Sequence, residues 1–244
     1  MSPPLPGVPP AYRGVWQRRR YVGEDDDGQS VDDRSTRVVW LQTACWHADL
    51  RVPVDTPDFR GVASLAECRR DQLIWLASLT AFVGLTRVEG RFCTWHRLVD
   101  LSPGLDKDVG DMRFLDPHRL EERDPRGRYR EDWACLTDSV ETGDTVRLDA
   151  QGLPRWLQRG DHAVWIEPRG AMPETHDLLA PASTLPDDAL RWRAGLALHY
   201  LHRDDAGWRV ALSTRPWRVG ERIAPEPMRP PHGKTTPVIV HSGD

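Results

Sequence analysis

From Arg128 to Leu136 the side chains change character at every step. Tyr129, Glu131, Trp133 and Cys135 fall on one side of an extended chain, and Arg128, Arg130, Asp132 and Ala134 on the other. A two-residue period belongs to a half-buried strand and excludes a helix, whose faces recur about every 3.6 residues. Gly14–Tyr21, Arg37–Thr43, Trp46–Val52, Ala81–Val88, Arg91–Leu101 and Asp111–Leu115 are further short segments rich in β-branched and aromatic residues. The second half adds Thr145–Asp149, Arg155–Gln158, His162–Glu167, Leu190–Leu201, Trp208–Ser213 and Thr236–His241. Turn residues such as Glu89-Gly90, Ser102-Pro103-Gly104 and Asp124–Gly127 separate them. Many short strands at close spacing predict a mainly β, antiparallel barrel or sandwich rather than a parallel α/β sheet.

One helix interrupts the pattern. Ser64-Leu65-Ala66-Glu67 reads as a capping box, and Leu65, Cys68, Gln72, Trp75, Leu76 and Leu79 follow at helical spacing. The spacing predicts a short capping helix over 64–79 that closes a barrel end or lids a pocket. The stretch Glu24–Arg34 is acidic and polar and reads as a solvated hairpin loop.

With 244 residues the chain has enough length for two small barrels. The predicted units are residues 12–137 and 142–241, preceded by a Pro-rich arm over 1–11; the alternative is one enlarged barrel using all the strands. Thirty-three basic against 37 acidic residues leave a net charge of −4, which argues against nucleic-acid or membrane-surface partners. No apolar run is long enough to span a bilayer, and the first residues lack a secretory pattern, so a cytoplasmic location is expected. Cys45, Cys68, Cys93 and Cys135 form no C-x-x-C pair and are expected as free, mostly buried thiols. There is no G-x-S-x-G, GxGxxG, P-loop or H-E-x-x-H motif. No cofactor or metal is therefore expected, and a small molecule is the expected partner.

Strand parity selects the interior. Trp40 shares a face with Val38 and Gln42, and Trp95 with Cys93 and Arg97. His47, Asp49 and Arg51 share another face, and His96 lies opposite Trp95 on its strand. A buried carboxylate or guanidinium must be paired. An Arg97–Glu131 ion pair inside a Trp-lined lumen is thus the expected arrangement, with Gln42 extending the network. Asp49 and Arg51 read as an ion-pair ladder or a polar rim at the pocket mouth, with His47 beside them.

Gly14-Val15-Trp16 resembles the G-x-W signature of lipocalin-like (calycin) barrels, in which the Trp plugs the closed end and an Arg of a late strand covers it. Arg209, Arg215 and Arg218 are the candidates for that partner. The strings VVWLQTACWHADLRVP (Val38–Pro53), FVG (Phe82–Gly84), CTWHRLVD (Cys93–Asp100), YREDW (Tyr129–Trp133) and STRPWRVGE (Ser213–Glu221) resemble the Hri family. These are small proteins of lipocalin-like units. The resemblance implies fold and carries no catalytic assignment. It marks Trp40, Gln42, Asp49, Arg51, Trp95, Arg97, Glu131 and Trp133.

The expected function is binding of a small apolar or aromatic molecule. Trp40, Trp95, Trp133 and Tyr129 would supply stacking surface, and Arg97, Glu131 and Gln42 would orient a polar group, with Asp49 and Arg51 at the rim. The alternative is a cofactor-independent lyase, isomerase or cyclase, with Glu131 as general acid or base, Arg97 stabilising negative charge and His47 or His96 carrying a second proton. A third reading is haem binding of nitrobindin type, which needs His47 or His96 as axial ligand in an open pocket.

Overall fold

The computed structural model describes residues 7–24, 28–105, 107–171, 177 and 179–224. Its first nine strands are β1 (Gly14–Glu24), β2 (Ser30–Asp33), β3 (Arg37–Gln42), β4 (Trp46–Val52), β5 (Thr80–Glu89), β6 (Phe92–Asp100), β7 (Asp108–Asp116), β8 (Arg119–Arg123) and β9 (Tyr129–Cys135). β1 and β3–β9 are antiparallel neighbours in chain order, and β9 pairs back onto β1 from Trp16↔Cys135 to Gly23↔Tyr129. These eight strands close a barrel, which removes the exposed sheet edge. β1 is long enough to serve twice. Its start, Gly14–Gln17, pairs with β3, and its end, Tyr21–Glu24, pairs with β2. Part of the stretch expected as a solvated loop is therefore the strand β2, because Asp32 and Asp33 meet Arg20 and Arg18 of β1 in ion pairs. β8 escaped the sequence reading: Arg-Leu-Glu-Glu-Arg has one apolar residue, and the inward position after Leu120 is the acid Glu122.

The second sheet contains β10 (Asp144–Leu148), β11 (Pro154–Arg159), β12 (His162–Glu167), β13 (Ala197–Asp204), β14 (Gly207–Ser213) and β15 (Arg222–Ile223), again in chain order. No β10–β15 pairing exists among the described residues, so this unit is an open sheet beside the barrel. A single enlarged barrel does not form, because β9 closes on β1. The expected strand Leu190–Leu201 divides into α2 (Asp187–Ala194) and the start of β13. Asp187 and Asp188 in the first turn and Arg191 and Arg193 in the last complement the helix dipole, a signal that strand periodicity hid. The expected strand Thr236–His241 lies outside the described residues.

The expected helix over 64–79 is shorter. Leu65–Glu67 forms one 3₁₀ turn, Cys68 is extended, and α1 runs over Arg70–Ser78. The Ser64 side chain makes no cap bond, and the Glu67 carboxylate instead accepts from the Ala63 N–H at 2.7 Å. The working cap is one turn later, where the Arg69 N–H donates to Gln72 Oε1 at 2.8 Å. α1 also does not close the barrel. Leu73, Leu76 and Ala77 join α2 residues, the outward faces of β3–β5 (Val39, Leu41, Leu50, Ala81, Val83) and Leu157, Val164, Ile166, Leu198 and Leu212 of the second sheet in one core. Each fully buried leucine there contributes roughly 1.5–3 kcal/mol. This packing explains why β3 reads as a near-continuous apolar run: it is covered on both faces.

The barrel's own interior is a second cluster, built from Trp16, Trp40, Phe82, Cys93, Trp95, Met112, Leu120 and Trp133. Trp16 is fully buried in this cluster, but none of Arg209, Arg215 and Arg218 covers it. Its indole N–H donates to the Tyr12 carbonyl at 2.8 Å, and Phe114 stands against both rings. Arg215 and Arg218 instead pair with Glu167, and Arg209 lines a surface depression. Gly84 is required by a close approach. A Cβ there would lie 1.8 Å from the His96 carbonyl oxygen, beside the bulge where the β5–β6 register shifts. Among the described residues no helix is long and apolar enough to cross a membrane.

Candidate functional site

Three tryptophans form the floor of the site. Trp40 stands edge-to-face against Trp95 (5.5 Å between centroids) and Trp133 (5.8 Å), and all three are buried. Parity placed them together, and the barrel does so. Gln42 is at the closed end. Its Oε1 accepts from the Trp40 indole (3.2 Å) and the Thr86 hydroxyl (2.7 Å), and its amide donates to the Thr43 and Trp46 carbonyls. Those bonds use the side chain completely, so Gln42 fixes the Trp40 rotamer and is closed to a guest.

Above the floor the lumen becomes charged. Glu131 is 1% exposed, and its Oε1 accepts from Arg18 (2.7 Å) and Arg51 (3.2 Å). Its Oε2 is buried with no partner. Arg51 also donates from Nε to Asp49 at 2.9 Å, and about a quarter of its side chain (26%) reaches solvent. Asp49 is buried, and burial lifts its carboxyl above the usual range against the pull of Arg51. Glu122 accepts from the Tyr129 hydroxyl (3.0 Å) and the Trp133 indole (3.1 Å). Burial, reinforced by the negative charges of Glu131 and Asp108, raises its pKa well above the normal value. Gly110 makes room for it, since a Cβ there would fall 2.8 Å from Glu122 Cγ.

The expected Arg97–Glu131 pair does not form. Arg97 lies at the mouth with its guanidinium 3.7 Å above the Phe82 ring, and it pairs with Asp108 (2.6 Å) and Asp100 (3.2 Å). The reason is adjacency. Asp108 sits opposite Trp95 at the start of β7, and the β6 bulge turns Asp100 to the same side, whereas Glu131 is on β9 beside β1. Arg18 takes the place foreseen for Arg97. Its signal was in the sequence, since Arg18 follows Trp16 by two residues on the same strand face. Glu122 was missed because its segment carries too few apolar residues to register as a strand, and Asp108 because it precedes Asp111–Leu115, the part of β7 that was read as one.

His47 is fully buried. Its Nδ1 meets the Thr86 hydroxyl at 3.0 Å, Phe82 stands edge-on at 5.7 Å, and desolvation pushes its pKa down to about 3. It is a neutral core residue rather than part of the rim. His96 is exposed on the far side of β6. Neither histidine faces an open pocket in the barrel, so neither meets the geometry of a haem axial ligand or a proton carrier beside Glu131. Asp49, Arg51, Glu122, Asp108 and the three indoles surround a space of about 10 Å³, room for about one water. The lumen below is filled by side chains.

The mouth and upper lumen thus hold six carboxyl groups (Asp33, Asp49, Asp100, Asp108, Glu122, Glu131) against four guanidiniums (Arg18, Arg51, Arg97, and Arg169, which donates to the Asp100 carbonyl). All four cysteines are free thiols, three of them buried. Compared with protein-family models, curated proteins and solved structures, the chain matches none.

Proposed function

We propose that the barrel mouth binds a small molecule carrying an amine or guanidine on an apolar or aromatic body. The carrying observation is the surplus of acid over base at the mouth, with Glu131 Oε2 lacking any donor. The surrounding indoles favour a cation through their π faces as well as stacking on an apolar body. Arg51 shows how such a group would sit. Its guanidinium bridges Asp49 and Glu131 at the solvent edge, and a guest enters by displacing it. The anchor is thus acidic, and the site is the mouth, because the lumen below holds the buried cluster of Trp16, Met112, Leu120 and their neighbours.

The test is titration of 2-phenylethylammonium against phenylacetate, read by tryptophan fluorescence and thermal melting. The ammonium should quench or shift the emission and raise the melting temperature, while phenylacetate has no effect. The R51Q variant should bind the ammonium more tightly. Preference for phenylacetate, or no response to millimolar ammonium, rejects the proposal.

A second reading rests on Glu122. A buried carboxyl whose pKa is raised, next to the Glu131 carboxyl, is the arrangement of a general acid, which suits a lyase, isomerase or cyclase acting on the bound guest. An α-amino ketone probe would exchange its α-protons with deuterated water in the wild type and not in E122Q. Kinship with the Hri family belongs to the same proposal, on the Val38–Pro53 block and a barrel of lipocalin-like form.

A further inference from the structure

The second sheet carries a group of metal-ligating side chains remote from the barrel mouth. His162 and His202 are directly paired across β12 and β13, with ring centroids 4.9 Å apart. Asp138, in the turn between the two sheets, places Oδ1 3.0 Å from His162 Nε2. One ligand atom from each residue lies within 4.8 Å of the other two. We infer that Asp138, His162 and His202 form a binding site for one zinc-type divalent ion, independent of the guest site.

Three features of the site favour a metal over a chance polar contact. The first is donor chemistry: two imidazoles and one carboxylate suit a borderline ion such as Zn²⁺ and suit Mg²⁺ poorly. The second is geometry. Bonds of about 2.0–2.2 Å in a tetrahedron put ligand atoms roughly 3.3–3.5 Å apart, which the present spacing reaches by small rotations of two exposed side chains, Asp138 and His202. The third is support behind the ligands. His162 Nδ1 lies 2.7 Å from the Tyr200 hydroxyl. When Nδ1–H donates to Tyr200, the lone pair at Nε2 is free for the ion, and the ring is held in that orientation. The turn bearing Asp138 is pinned as well. The Ser139 hydroxyl accepts from the Val15 N–H at 2.8 Å, and its carbonyl accepts from Arg159 Nε at 3.1 Å. His202 also edges an open depression with Asp204 and Arg209, so an ion can reach the site without unfolding.

With three protein ligands, one position of a four-coordinate ion remains for water. The experiment is calorimetric titration of Zn²⁺ into the chelator-stripped full chain. One equivalent should bind and raise the melting temperature, and a hundredfold excess of Mg²⁺ should leave the binding unchanged. H202A and D138A alter exposed side chains and should keep the metal-free melting temperature while weakening zinc at least tenfold. Y200F, which removes the hydroxyl behind His162, should weaken it about 10–100-fold. Failure to bind one equivalent, binding unaltered by H202A or D138A, or displacement by Mg²⁺ overturns the inference.

Discussion

Arg51 reaches across the barrel mouth to place its guanidinium 3.2 Å from the Glu131 carboxylate, on the oxygen that Arg18 also holds at 2.7 Å. Two cations thus depend on one buried acid. E131A leaves both without that partner, and breaking a buried pair from one side typically costs about 3–5 kcal/mol. Urea denaturation should show a loss in that range. A loss below about 1 kcal/mol would mean that water already screens the group.

Glu122 and His47 bend the pH dependence of stability in different windows. The Glu122 carboxyl titrates higher in the folded than in the unfolded chain, so its contribution is complete below the unfolded value and declines as pH rises toward the folded one. E122Q should therefore be more stable than wild type at pH 8, with the gap shrinking toward pH 5. Equal gaps at the two pH values would show that Glu122 is ionised.

His47 titrates low because burial disfavours its charged form. Here the unfolded chain binds the extra proton, so stability falls as pH drops from 6.5 toward about 3. H47Q should flatten that acid limb in a series of denaturation midpoints. An unchanged limb would assign acid lability to other groups.

At Gly84 the added methyl group of alanine meets backbone rather than a movable side chain. G84A should cost about 3 kcal/mol or more, above the usual range for an overpacked core. Hydrogen exchange should quicken first in β6. A melting temperature within a degree of wild type would place the β5–β6 strands further apart.

Thiol labelling separates the cysteines. Cys45 is half-buried, while Cys68, Cys93 and Cys135 are buried and desolvation raises their pKa values. The native chain should react quickly at one site at most, and at all four after denaturation. Rapid native labelling of Cys93 would show that the barrel opens.

The β architecture was written locally. Period-two alternation identified β9, β4 and most of β6, and it turned Trp40, Trp95, Trp133 and Glu131 inward without any knowledge of neighbours. A strand's face depends only on its own pleat, so such assignments survive into the fold. Where the pattern was polluted, they failed. The acid at position 122 hid β8, and the leucines of Leu190–Leu201 hid the helix whose charged ends mark α2.

Pairing is different in kind. Parity says that Arg97 and Glu131 both look into the lumen; Glu131 is buried there, while Arg97 ends exposed at the mouth. Which acid meets which base depends on barrel order, on the bulge that brings Asp100 to Arg97, and on the closure of β9 onto β1 that carries Glu131 to Arg18. Those are relations between residues far apart in the chain. Likewise Asp138, His162 and His202 have no shared spacing, and only a turn pinned between two sheets brings them together. The sequence alone determined that this chain forms strands and that the indoles of Trp40, Trp95 and Trp133 leave water. The tertiary structure decided how the buried charges are matched, because matching is a matter of distance across strands and the period of one strand carries no information about it.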